Sequence, residues 1–305
     1  MIVYQTPEIR FADLKDFPFH SHYAYINGLR LHYIDEGPAN SRTVLLLHGV
    51  PTWSYLYRHM IRKITDAGYR TIVPDLIGFG KSDKPKEMEF HTYQSHIEII
   101  NDWLNYMSVR DLILFAHDWG SLIGLRIVAE KPELFSGLIV CNGMLPTGEQ
   151  VMHYTFNLWR FIARYSPVIP VDLIIKYGVK GKLGKDVKRA YRAPFPSIKY
   201  MAGVRTLPGL VPISADDTES VANRKAWETL GKWERPFLTI FSNNDPVTRG
   251  GEKYLQSKIP GSAGQPHKML QGGHFIQEEK SDEISRIVIE FVEKLDSELT
   301  DDHAS

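Results

Sequence analysis

The sequence lacks the features that tie a protein to an oxidising compartment, a bilayer or a nucleic acid. Cys141 is its only cysteine, so the chain forms no internal disulfide. No apolar stretch approaches the roughly 20 residues that span a bilayer, and the first residues lack the basic and long apolar regions of a signal peptide. The 36 Lys and Arg residues balance the 36 Asp and Glu residues, whereas nucleic acids and anionic membranes favour clustered basic residues. We therefore expect a cytoplasmic monomer, without a membrane or nucleic acid partner, that acts on a small neutral molecule.

Two short patterns that would indicate a cofactor or a metal are incomplete. Gly78-Phe79-Gly80 lacks the third glycine of a dinucleotide-binding fingerprint. His20 and His22 have a spacing found in metal sites, but no cysteine or carboxylate cluster supports them. The sequence therefore predicts neither a nicotinamide cofactor nor a metal, and we expect chemistry that needs no cofactor.

Short apolar runs separated by longer stretches of helical periodicity indicate a mostly parallel sheet flanked by helices. The runs are residues 43–47, 70–73, 112–115, 138–140 and 237–241. The alternation fails between about residues 146 and 225, where helix formers, aromatic residues and prolines dominate. We interpret residues 146–225 as a helical cap inserted into one α/β core, which residues 1–145 and 226–305 form together.

An aspartate occupies the turn after the apolar run 112–115. Ala116-His117-Asp118-Trp119-Gly120 places Asp118 between two small residues, which permit a sharp turn from strand to helix and expose the side chain. A serine needs a base before it attacks, whereas an aspartate with a reference pKa of about 3.9 is already a carboxylate at neutral pH. The start of the following helix favours the anion. Asp118 is therefore our candidate nucleophile for attack on a saturated carbon.

Three further motifs follow predicted strands. They are His48-Gly49-Val50-Pro51, Ser242-Asn243-Asn244-Asp245-Pro246 and Gly272-Gly273-His274. Each has a simpler interpretation: the first two can be turns, and a single histidine among 12 is usually structural. Their order along the chain, together with Asp118, favours a catalytic interpretation.

These motifs resemble the α/β-hydrolase fold, in which the nucleophile, the acid and the histidine follow one another along the chain. The resemblance implies that Asp245 is the acid and that His274 is the base. It also implies that the backbone N–H groups of Val50 and Trp119 stabilise an oxyanion.

A narrower resemblance covers nearly the whole chain: the sequence resembles the haloalkane dehalogenases. The segments that carry it are residues 6–11, 51–58, 78–85, 117–120, 190–196, 202–205, 264–267 and 274–278. Epoxide hydrolases share core motifs such as His-Gly-x-Pro, so the matches within the cap, at 190–196 and 202–205, are the more specific ones. The resemblance implies a halogenated alkane and water as substrates, and a halide ion as one product.

Release of a halide requires hydrogen-bond donors in a dry pocket, and an indole N–H is a donor without a competing acceptor. Trp119, next to the nucleophile, is one candidate. The resemblance implies that Trp159 is the other, because residues 156–160 are similar to the cap segment with the second halide-binding tryptophan in the first dehalogenase subfamily. Val50 departs from the polar residue that relatives often carry there, so its side chain offers no donor. Asp245 as the acid also agrees with the first subfamily.

The resemblance implies cleavage of a carbon–halogen bond through an alkyl ester on Asp118, which water activated by His274 hydrolyses. An epoxide hydrolase is an alternative, because it shares the aspartate nucleophile and takes its acid from cap tyrosines. The cap contains Tyr154, Tyr165, Tyr177, Tyr191 and Tyr200. A catalytically inert ligand receptor on the same fold is a further alternative.

Overall fold

The computed structural model describes residues 1–150 and 154–302. Its strands are β1 Val3–Tyr4, β2 His22–Ile26, β3 Leu29–Glu36, β4 Thr43–Leu47, β5 Arg70–Pro74, β6 Lys84–Pro85, β7 Leu112–Asp118, β8 Phe135–Gly143, β9 Phe237–Ser242 and β10 Lys268–Leu270. Its helices are α1 Arg58–Asp66, α2 Tyr93–Met107, α3 Trp119–Glu130, α4 Tyr154–Tyr165, α5 Val171–Tyr177, α6 Lys185–Arg192, α7 Ala202–Leu210, α8 Thr218–Leu230, α9 Gly251–Lys258 and α10 Gln277–Asp302.

Eight of these strands form one sheet in the order β10-β9-β8-β7-β4-β5-β3-β2. The six strands from β10 to β5 are parallel to one another. At the other edge, β3 pairs antiparallel with β5, and β2 pairs antiparallel with β3. Every residue of β4 and β9 is buried, as expected for parallel strands with helices on both faces. The prediction of a mostly parallel sheet flanked by helices is confirmed, and each of the five predicted apolar runs lies within a strand.

The parallel order of the sheet places the candidate motifs at one edge. The carboxyl ends of β4, β7, β9 and β10 meet there because these strands run in the same direction. Ligands of open α/β sheets bind outside the carboxyl ends of the strands. His48 directly follows β4, and Asn243 directly follows β9. Asp118 is the last residue of β7, and Gly272 lies two residues after the end of β10.

Helices α4 to α7 lie between β8 and β9 along the chain, within the segment that is predicted to form a cap. The expected boundary at residue 225 lies inside α8, which packs on the core helix α3: Arg126 donates hydrogen bonds to Asn223 and Glu219. The division into core and cap stays a prediction. Within the described residues, no helix combines the length and the apolar character that crossing a membrane requires.

Candidate active site

Asp118 lies at the sharp turn between β7 and α3. It is the last residue of the strand, and its φ of 51° and ψ of −123° are strained for a residue with a side chain. The loop after β4 passes so close that a Cβ atom on Gly49 would overlap the Asp118 side chain. The turn leaves 16% of that side chain exposed, enough to reach a small molecule.

The surroundings of Asp118 stabilise its carboxylate. The backbone N–H of Val50 donates a hydrogen bond of 2.8 Å to Asp118 Oδ1. Burial alone would raise the pKa of Asp118, but the hydrogen bond and positive charge of His274, the nearby His117 and the Trp119 N–H outweigh burial and lower it. Asp118 is therefore ionised at neutral pH and able to act as a nucleophile.

His274 lies between two carboxylates. Its Nδ1 is 2.9 Å from Asp245 Oδ2, and its Nε2 is 3.5 Å from Asp118 Oδ2. Because an ionised carboxylate only accepts hydrogen bonds, Nδ1 carries a proton. Burial lowers the pKa of His274, but Asp245 and Asp118 together raise it to about 10. In the protein with a free Asp118 carboxylate, the imidazole is therefore a cation.

Asp245 is held in place by the loop that follows β9. The carboxylate is 1% exposed, and it accepts hydrogen bonds from the Val247 N–H at 2.8 Å and from the Thr248 hydroxyl. Burial would raise its pKa, but His274 and these hydrogen bonds lower it. A buried, ionised Asp245 can thus orient the imidazole of His274 and stabilise its positive charge.

Two residues that the sequence analysis did not assign to the site hold the backbone of His274. Asn142 Nδ2 donates to the carbonyl oxygens of His274 at 2.9 Å and of Gly273 at 3.2 Å, while its Oδ1 accepts from the Ser242 N–H at 2.9 Å. His117 Nε2 donates to the same His274 carbonyl at 2.9 Å. The position of Asn142 directly after a predicted strand was the one available signal.

Ser121 is a further residue that the sequence analysis missed. Its hydroxyl donates to the Asp118 carbonyl oxygen at 2.6 Å and accepts from the Met144 N–H at 2.8 Å. It thereby joins the turn that carries the nucleophile to the chain after β8.

A cavity of about 530 Å³ opens beside Asp118 and His274. Trp119 and Trp159 line it together with Val50 and apolar side chains from α4, α5 and the loop after β9. Trp119 is 2% exposed at the start of α3, and Trp159 on α4 is partly buried. Neither indole N–H donates a hydrogen bond to any residue that the structure describes. Five of the six candidate residues thus line the cavity, and the sixth, Asp245, lies behind His274 and contacts its Nδ1.

One of the five cap tyrosines lies at this cavity. Of the five, Tyr177 is the one that lines it, and its side chain is 81% exposed. Tyr191 is fully buried elsewhere, where its hydroxyl donates to Glu278. Across residues 1–150 and 154–302, no three His, Cys, Asp or Glu side chains form a cluster suited to a metal ion. The arrangement therefore supports nucleophilic attack by Asp118, followed by hydrolysis assisted by His274.

The sequence is similar to known proteins along nearly its whole length. A family model of the alpha/beta hydrolase fold matches residues 42–167. A haloalkane dehalogenase of Mycolicibacterium paratuberculosis is 47% identical over 300 residues, which cover 97% of this chain and 100% of that relative. A haloalkane dehalogenase of Psychrobacter cryohalolentis is 44% identical over 298 residues, which cover 96% of this chain and 98% of the relative.

Solved structures agree with the sequence comparison. The tetrameric haloalkane dehalogenase of Paraglaciecola agarilytica NO2 has a TM-score of 0.88 and 32% sequence identity, and the match covers 94% of this chain and 97% of that one. The similarity in both sequence and structure extends over the core and the segment between β8 and β9. This chain belongs to the haloalkane dehalogenase family of α/β hydrolases.

Proposed function

We propose that this protein hydrolyses the carbon–halogen bond of halogenated alkanes to an alcohol, a halide ion and a proton. The observation that carries the proposal is the ionised Asp118 at the base of an apolar cavity, beside two indole N–H donors. Relatives named haloalkane dehalogenase, at 44% to 47% identity over nearly the whole chain, support it. Asp118 is the nucleophile in this proposal, His274 the base and Asp245 the acid that orients the base.

In the first step, an oxygen of Asp118 forms a bond to the carbon that carries the halogen. The carbon–halogen bond breaks, and its electron pair leaves with the halide. Trp119 and Trp159 donate hydrogen bonds to the departing ion in a cavity that is lined mostly by apolar side chains. A hydrogen bond to a charged group contributes about 1.5–3 kcal/mol. Two such bonds that form mainly in the transition state accelerate the step by roughly two to four powers of ten.

Formation of the ester then prepares His274 for the second step. The ester has no negative charge, so the contribution of Asp118 to the high pKa of His274 is lost. The pKa falls, and the neutral imidazole takes a proton from water as the water attacks the ester carbonyl. Asp245 stabilises the resulting imidazolium. When the tetrahedral intermediate collapses, the bond between the ester carbonyl carbon and the alkyl oxygen breaks, the alcohol leaves with the proton of the imidazolium, and the new Asp118 carboxylic acid loses its proton. The backbone N–H groups of Val50 and Trp119 stabilise the oxyanion, and removing one such donor from comparable sites costs about 3–4 kcal/mol.

The detailed pattern favours the first dehalogenase subfamily. Asp245, after β9, is the acid in this assignment, and Asn142, near the end of β8, serves instead to hold the His274 loop. The side chain of Val50 lines the cavity without a donor, so Trp159 supplies the second hydrogen bond to the halide. We propose no cofactor and no metal, in keeping with the balanced steps above.

Epoxide opening is the nearest alternative, and the cap argues against it. The epoxide oxygen needs an acid within hydrogen-bond reach, about 2.6–3.2 Å. The one cap tyrosine at the cavity is largely exposed. An inert ligand receptor is disfavoured because it has no need for a histidine placed between two carboxylates.

Bromide release from 1,2-dibromoethane tests the proposal. The wild-type protein should release bromide, the Asp118→Ala protein should release none, and neither should open styrene oxide. Asp102→Asn provides a control, because Asp102 lies on α2 and outside the cavity. Opening of styrene oxide without bromide release would favour the epoxide hydrolase instead.

We also propose that the core consists of residues 1–145 and 226–305, that the cap spans 146–225, and that the protein is a cytoplasmic monomer. The single cysteine, which forms no internal disulfide, supports the cytoplasmic location. The relative from Paraglaciecola agarilytica NO2 is tetrameric. Light scattering on the purified protein measures the mass directly, and a mass of about 140 kDa, four chains of 34.9 kDa, would contradict a monomer.

A further inference from the structure

One wall of the cavity is built from two segments that are distant in sequence. The first segment, residues 177–180, follows α5 and forms part of the cavity rim. The second, residues 273–275, contains His274 and also lines the cavity. The candidate base and this rim, where Tyr177 and Lys180 are exposed, are therefore direct neighbours.

The two segments contact each other through their backbones. The Phe275 N–H donates to the Gly178 carbonyl oxygen at 3.1 Å. A Cβ atom on Gly273 would overlap the same carbonyl oxygen, so a side chain there would push the segments apart. Because the packing is this close, a shift of the rim by a fraction of an ångström must move the backbone of His274.

A single carboxylate joins the two segments. Glu279, in the first turn of α10, accepts the Gly273 N–H on Oε2 at 2.7 Å. Its Oε1 accepts the N–H groups of Lys180 at 2.8 Å and Gly181 at 3.1 Å. Three backbone donors thus converge on one anion, and the start of the helix favours its negative charge.

The neighbouring residue Glu278 has a different task. It forms a buried, bidentate ion pair with Arg58 at 2.5 and 2.8 Å and accepts the Tyr191 hydroxyl. Glu278 therefore joins α10 to the start of α1 and to α6. The backbone N–H of Glu278 donates to the Phe275 carbonyl oxygen at 3.0 Å. Among the described residues, however, its carboxylate bonds to Arg58 and Tyr191 and not to the His274 loop, so Glu279 is the carboxylate that acts on the base.

We propose that Glu279 is a positioning residue that couples the rim of the substrate cavity to His274, and so sets the rate at which the alkyl ester is hydrolysed. The inference rests on the proposed function, in which His274 accepts a proton from water in the second step and transfers no proton in the first. A change at Glu279 therefore slows hydrolysis of the ester and leaves formation of the ester, with release of halide, largely unchanged.

Glutamine at this position tests the role of the carboxylate with little change in volume. Its amide has one oxygen acceptor and one NH₂ donor. In one orientation of the amide, the NH₂ group faces the Gly273 N–H. In the other orientation, it faces the N–H groups of Lys180 and Gly181. One segment loses its acceptor and is pushed away. Since a misplacement of about 1 Å can cost roughly 100-fold in rate, we expect ester hydrolysis to slow by about 10- to 100-fold.

Rapid-quench measurement with 1,2-dibromoethane separates the two steps. In the Glu279→Gln protein, we expect one equivalent of bromide at the wild-type rate, then slow turnover, with the alkyl ester on Asp118 visible by intact mass. Glu293→Gln is the matched control, because it removes an exposed carboxylate from the same helix. It should behave like wild type. If Glu279→Gln fails to fold, Glu279→Asp takes its place in the same measurement. Its side chain keeps the negative charge but is one methylene shorter, so it cannot reach both segments, and we expect the same slow hydrolysis of the ester.

The results distinguish the inference from the function on which it rests. An active wild type with an unchanged Glu279→Gln protein overturns the coupling alone. An equal loss of both steps, together with a lower melting temperature, indicates a merely structural role and also overturns it. A wild type that releases no bromide contradicts the proposed function itself.

Discussion

Replacing each cavity tryptophan by phenylalanine removes one hydrogen-bond donor and keeps an aromatic ring. Trp119 and Trp159 line the cavity beside Asp118, and neither indole N–H is used by the described residues. If each donates to the halide, each substitution removes about 1.5–3 kcal/mol of binding free energy. The dissociation constant for the ion should therefore rise roughly 10- to 150-fold per substitution.

Product inhibition by added bromide measures this constant during turnover of 1,2-dibromoethane. We expect the inhibition constant to rise by the stated factor in Trp119→Phe and Trp159→Phe, and kcat/KM to fall by a comparable factor. Trp233→Phe is the control: Trp233 is buried, and its indole N–H also has no partner among the described residues, but it lies outside the cavity. A Trp159→Phe protein with wild-type bromide inhibition would refute the assignment of Trp159.

Three further predictions concern protonation, steric fit and the buried ion pair. Loss of the Asp118 charge in the ester lowers the pKa of His274 from about 10 toward 6.5. Steady-state turnover should therefore decline below about pH 6.5, as the base becomes protonated, while the first release of halide persists because the pKa of Asp118 is lowered. Gly49→Ala should reduce kcat/KM by about 100-fold or more, because the methyl group overlaps Asp118. Arg58→Met should lower the free energy of unfolding by about 3–5 kcal/mol in urea titration, because it leaves Glu278 charged, buried and unpaired.

Each of these predictions has its own control. A steady-state profile that stays flat down to about pH 5 would contradict His274 as the base. Gly209→Ala places a methyl group where no atom lies within 4 Å and should retain activity. Lys63→Met breaks an exposed ion pair with Asp282 and should change the free energy of unfolding by about 1 kcal/mol or less. If Arg58→Met lowers the free energy of unfolding no more than Lys63→Met does, the buried ion pair contributes no more than an exposed one.

The sheet and the turn at Asp118 could be predicted because their signals are local. Apolar runs of three to five residues mark buried strands, and small residues on either side of Asp118 permit the sharp turn. The strand 43–47 has the same limits in the structure as in the prediction. The chain order of Asp118, Asp245 and His274 carried enough information to place them at one edge of the sheet, although their chemical roles stay predictions.

Contacts between distant segments left no such signal. Asn142 holds the carbonyl of a residue 132 positions away, and Glu279 bridges to Lys180 across 99 positions. Side-chain-to-backbone contacts of this kind demand no particular sequence pattern around either partner. The composition of the cap likewise could not tell which of its five tyrosines lines the cavity, because that depends on how the helices pack. The electrostatic coupling that raises the pKa of His274 depends on distances that sequence does not give.

The most direct test of the central claim is the mass of the His274→Phe protein after incubation with 1,2-dibromoethane. Without the base, the alkyl ester forms but is not hydrolysed. The account predicts a covalent adduct localised to Asp118 by peptide mapping, with one equivalent of bromide released per chain. A protein that shows neither adduct nor bromide, while the wild type turns over, would contradict nucleophilic attack by Asp118.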